Sequence, residues 1–86
     1  MMYYNLIKTP DGYRMVKFDD LWNVDSVYNI SYRRGHFFCD CMAGNKPDCR
    51  HRQMVPIFCQ HKAVNSGKFY CFDTGEWHEA MVGAVA

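Results

Sequence analysis

The stretch that most constrains this chain is Cys39-Asp40-Cys41-Met42-Ala43-Gly44-Asn45-Lys46-Pro47-Asp48-Cys49-Arg50-His51, in which three thiols and an imidazole fall in two pairs, each spaced by one residue. Cys39 and Cys41 follow the apolar Phe37-Phe38. On an extended chain residues i and i+2 face the same way, so both sulfurs can reach one point. Cys49 and His51 cannot do so from the middle of a helix, where two residues are about 200° apart in rotation. Cys49 is therefore expected just ahead of a helix, with His51 in its first turn. Gly44-Asn45 and Pro47-Asp48 let the spacer turn back between the pairs, and Asp48 is a candidate N-cap.

Three sulfurs and one nitrogen are the donor set of a closed, tetrahedral zinc site, with ligands at roughly 2.0 to 2.3 Å and no open position for chemistry. The reading is one structural Zn2+ held by Cys39, Cys41, Cys49 and His51. Three thiolates against a divalent ion take the formal chain charge of +1 to zero and leave the site itself anionic. A helix beginning beyond Cys49 would turn its free N–H groups and the positive end of its dipole toward those thiolates. A disulfide framework fits poorly. Five cysteines is an odd number, and Cys39 and Cys41 are too close in sequence for an ordinary bridge. Cys59-Gln60-His61 repeats the C-x-H spacing and is a rival pair. On a helix its members diverge and only the lone Cys71 remains to join them, so Cys59 reads as a small buried hydrophobe and His61 as a helix-end residue. His36, three residues before Cys39 on the same strand, faces away from the ligands.

At these four positions the chain resembles the SWIM-type zinc finger, whose pattern is C-x-C, a spacer of variable length, then C-x-H. The resemblance spans residues 27–64, including the strand Val27–Tyr32 and the apolar stretch after His51. It implies a strand, strand, helix order around the metal and a role in contacting DNA or protein. It also brings forward the basic residues around the zinc, Arg33, Arg34, Lys46, Arg50 and Arg52, with Lys62 further off, as one local patch for phosphate.

Eighty-six residues are read as a single domain, 1–86, small enough for a metal to contribute decisively to stability. Thr9-Pro10-Asp11-Gly12 is a turn signal between the β-prone Tyr3–Ile7 and Tyr13–Phe18. Asp19–Ser26 reads as a connector with solvated aspartates. Arg33-Arg34-Gly35 turns Val27–Tyr32 into His36–Cys41, and Lys68–Phe72 with Glu76–Glu79 forms a closing hairpin around Asp73-Thr74-Gly75. The expected fold is α+β, with three β-hairpins and one short helix. Helical spacing puts His51, Met54, Val55 and Phe58 on the packed face, with a kink or restart at Pro56. The many aromatics read as sheet packing rather than as a base-stacking platform.

Ten basic against nine acidic side chains argue against a protein that coats nucleic acid broadly. No run of about 18 apolar residues predicts a membrane span, and no leader is apparent, so a reducing cytoplasmic setting without a membrane partner is expected. The functional expectation is a zinc-binding module that contacts DNA or RNA weakly, without strong sequence preference. The alternative is a protein-binding adaptor using the aromatics and the apolar tail 80–86. Enzymatic activity is not expected, because no nucleophile, base and oxyanion donor can be named together.

Overall fold

The computed structural model describes residues 1–41 and 49–79. Six strands, β1 (Tyr3–Thr9), β2 (Gly12–Phe18), β3 (Val24–Arg33), β4 (His36–Cys39), β5 (Lys68–Cys71) and β6 (Glu76–Glu79), accompany one helix, α1 (Arg50–Gln60). All six belong to a single antiparallel sheet in the order β4-β3-β2-β1-β5-β6. The α+β expectation is corrected by this sheet: the molecule is a small β-rich domain carrying one short helix. The three hairpins exist, but they are not separate units. β3 begins at Val24, inside the stretch read as a connector, and pairs with β2 from Ser31↔Gly12 to Val24↔Phe18 across a bulge at Lys17/Phe18.

Local chemistry explains each reversal. Pro10-Asp11 forms the two-residue loop between Thr9 and its partner Gly12. Arg34 and Gly35 both have positive φ, 52° and 82°, as a two-residue loop matched to strand twist requires. Asp19 accepts hydrogen bonds at Oδ1 from the N–H groups of Leu21 and Asn23, both 2.9 Å, and so shapes the β2–β3 connection instead of being merely solvated.

One face of the sheet carries α1. Met54, Val55 and Phe58 on the helix and Tyr4, Leu6, Met15 and Ile30 on the strands are all at most 1% exposed, each contributing roughly 1.5 to 3 kcal/mol by burial. The helix runs through Pro56 unbroken. Its packed face holds both halves in place, while Pro56 itself is exposed. α1 ends in a Schellman arrangement, with Ala63 N–H donating to the Phe58 carbonyl and Lys62 N–H to that of Cys59, 2.9 and 3.1 Å. Beyond it Asn65 stands in for a strand against β1: its N–H donates to the Leu6 carbonyl and its Oδ1 accepts from Lys8 N–H, each at 2.9 Å.

The opposite face is covered over part of its area by the 19–23 loop. Trp22 stacks on Tyr3 at 4.5 Å and meets Phe69 edge-on at 4.9 Å, and Phe69 also packs edge-on against Phe18. Most aromatics thus serve as packing, as expected. Among the described residues no helix is long and apolar enough to cross a membrane. Lys46, Asp48 and the rest of the 42–48 spacer, and the tail 80–86, lie outside the described residues.

Gly12 is buried where β2 meets β3, and a Cβ there would collide with the Ile30 carbonyl oxygen, which is backbone and cannot swing aside. Gly12→Ala is expected to cost roughly 1 to 3 kcal/mol, read as a lower denaturant midpoint at unchanged metal content.

Candidate metal centre

Cys39, at the end of β4, and Cys41, just beyond it, come from an edge hairpin. Cys49 and His51 come from the start of α1. Cys49 is the N-cap residue with extended backbone (φ −63°, ψ 112°), and its side chain makes no capping hydrogen bond. The i, i+2 pair therefore straddles the helix boundary, which solves the rotation problem posed by the sequence. No acidic side chain occupies the first turn of α1, so the thiolates are the negative charge placed at that end of the helix dipole.

The four donor atoms lie within 4.8 Å of one another. Cys41 Sγ is 3.5 Å from Cys49 Sγ, and His51 Nδ1 is 3.7 Å from Cys39 Sγ and 3.8 Å from Cys49 Sγ. Two sulfurs bound at 2.3 Å to a tetrahedral centre stand about 3.8 Å apart, so these separations suit one ion in their midst. Cys39, Cys49 and His51 are buried and Cys41 is half-buried. Burial pushes the Cys39 thiol up to about 12, partly opposed by a hydrogen bond from the Cys41 backbone and assisted by the nearby Cys41 and Cys49 sulfurs. Burial likewise lowers His51, with Lys17 and Arg50 acting in the same direction. Three thiolates in so small a volume require a cation, while the neutral imidazole keeps a lone pair for it. The residues present fit a metal ion, and the soft sulfur-rich set suits zinc.

Residues outside the C-x-C and C-x-H pattern hold the donors in place. Tyr28 of β3 stacks on the His51 ring with centroids 3.9 Å apart, and Tyr4 meets it tilted at 6.0 Å. Asp40, between the two cysteines, is tied to Asn29 three ways. Its carboxylate accepts from Asn29 N–H at 3.0 Å and from Asn29 Nδ2 at 3.3 Å, and its own N–H donates to the Asn29 carbonyl at 3.2 Å. The sequence signal for this clamp is only an acid between two cysteines opposite a strand asparagine.

The rival ligands lie elsewhere. Cys59 is exposed rather than buried as expected, with its sulfur 3.7 Å from the Tyr13 hydroxyl, and His61 caps α1 against Trp77 at 5.1 Å. His36 is at the β3–β4 turn, and Cys71 is buried with its thiol toward the Met1 sulfur.

The basic residues read as one patch sit on several elements, and Lys46 lies outside the described residues. Arg33 and Arg34 form the tip of the β3–β4 hairpin. Arg50 lies over the Phe72 ring at 5.2 Å, beside β5, whereas Arg52 donates to the Phe37 carbonyl of β4 at 3.3 Å. Two residues apart on α1, they leave the helix on opposite flanks. Lys62, in the left-handed region at φ 54°, belongs to the helix C-terminus. No family model matches the chain, and neither a curated protein nor a solved structure does.

We expect one zinc per chain by elemental analysis, abolished by Cys41→Ser and retained in Cys59→Ala and His61→Ala. Binding must displace the Cys39 proton, so affinity should rise with pH and fall in acid. Zinc lost from either of the last two variants would reassign the ligand set. Asp40→Ala should weaken zinc binding by roughly 10-fold to 100-fold, measured by competition with a chromogenic chelator, with the four ligands intact.

Proposed function

We propose that this chain is a SWIM-like module whose single zinc is structural and whose β3–β4 hairpin contacts nucleic-acid phosphate. The observation that carries the reading is that one short strand joins the two: β4 ends at the ligand Cys39 and starts at His36, directly after Arg33-Arg34-Gly35. Four protein donors fill a tetrahedral shell, which supports a structural rather than a catalytic metal. The ion would fasten the hairpin to the start of α1 and so hold the two tip arginines in fixed positions. Lys17 and Arg50 both bear electrostatically on His51, and Arg33 and Arg34 are exposed at the tip. Arg50 and Arg52 then act mainly inside the fold, through Phe72 and the Phe37 carbonyl.

With about two to three phosphates engaged, log affinity should fall against log salt with a slope near −2 to −3. Replacing Arg33 and Arg34 together by Gln should flatten the slope by about two units at unchanged zinc content. Titration of labelled duplex and single strand at low and moderate salt measures this. Absence of binding to either at low salt would reject the nucleic-acid reading and leave a protein contact through the exposed Tyr32 and its neighbours.

A further inference from the structure

The sheet face opposite α1 is divided. At the Val24 end the 19–23 loop covers it with Trp22. At the hairpin-tip end nothing among the described residues covers it, and there Ser31, Arg33, Arg34, His36 and Phe38 line a shallow concavity of about 620 Å³. Strand pairing explains what it displays. Arg33 stands opposite His36, and Ser31 lies between Phe38 on one side and Gly12 on the other. Small groups thus floor a trough beside one exposed aromatic ring, 38% accessible. One register further along the same face lies Arg14, opposite Asn29. Two acids are near, and neither stands free in the trough. Asp40 is held by Asn29, and Asp11 sits in the β1–β2 turn.

We infer that this trough binds single-stranded nucleic acid, with one base stacked on Phe38 and the flanking phosphates on Arg33, Arg34 and Arg14. The inference rests on the phosphate reading of the hairpin tip and adds to it what the arginines alone do not supply. An aromatic ring on an open sheet face between cationic side chains matches an unpaired base joined to its phosphates, since every base offers a π-face while the backbone stays negative. A duplex keeps its bases stacked inside and offers only its phosphates. The polyanion is the occupant that charge selects: of the five lining residues, two are arginine, one is histidine and none is acidic.

The test uses the zinc-loaded full chain and three ligands of equal length: oligothymidylate, an abasic oligonucleotide and a duplex. The single strand should bind more tightly than either other ligand at one salt concentration. Phe38→Ala should lower single-strand affinity by roughly 5-fold to 150-fold, leave abasic binding and the salt slope unchanged, and be rescued by Phe38→Tyr. Phe38→Leu, which keeps an apolar side chain beside Cys39, replaces the alanine variant if that one loses zinc. Should both variants fail to fold, the wild-type comparison of thymidylate with abasic strand decides alone. Equal binding of all three ligands would overturn the inference while preserving the phosphate reading, and so would a Phe38 variant indistinguishable from wild type. No binding to any of them would overturn both.

Discussion

Three thiols and an imidazole converge within 4.8 Å of one another, and as thiolates they could share that volume only around a cation. Cys39 and Cys41 come from a sheet edge, and Cys49 and His51 from a helix start, so an ion among them joins two elements whose direct packing is modest. The helix in turn seals the inner face of the sheet through Met54, Val55 and Phe58, none more than 1% exposed. For a chain of 86 residues the binding free energy of such an ion is comparable with the whole net stability of the fold. An ion bound there would therefore act with the core as one cooperative structure.

The immediate surroundings share this work. Tyr28 fixes the plane of the His51 ring, and the Asn29–Asp40 clamp fixes the bend between the two cysteines. Both partners lie on β3, the longest strand. Orientation of the donors is thus delegated to the strand next to the edge, which has neighbours on both sides and less freedom to move.

The convergence of Cys39, Cys41, Cys49 and His51 was legible because the two periodicities involved are stiff: two residues on a strand share a face, and two residues on a helix do not. The same rotation sends Arg50 toward Phe72 and Arg52 toward the Phe37 carbonyl. The hairpin turns were legible because Pro-Asp-Gly and Arg-Gly carry their own backbone preferences. The single sheet was not, since pairing of β2 with β3 and of β1 with β5 depends on which edges meet in space. The polar Asp25-Ser26 hid the start of β3 for a related reason. Only pairing with Lys17 and its neighbours makes that segment a strand. Cys59 follows Phe58 by one residue, about 100° around the helix, and that step carries it off the buried face.

The seam between β1 and β5 consists of two residue pairs, Tyr3↔Cys71 and Tyr4↔Tyr70. Beyond it, among the described residues, the edge of β1 away from β2 takes hydrogen bonds with Asn65, and the Asn5 side chain donates to the Ser66 and Lys68 carbonyls. Rings also attach the closing hairpin: Trp77, which rests tilted on Tyr70 of the same hairpin at 4.9 Å, is edge-on to Phe58 of α1 at 5.0 Å. On the other face Phe69 meets Phe18 and Trp22, and His78 meets Tyr3, so ring packing joins segments far apart in sequence. The β1–β5 seam has fewer paired residues than any other in the sheet, on the side remote from the β3–β4 hairpin, so the β5–β6 hairpin is the part whose attachment rests least on backbone pairing and most on side chains.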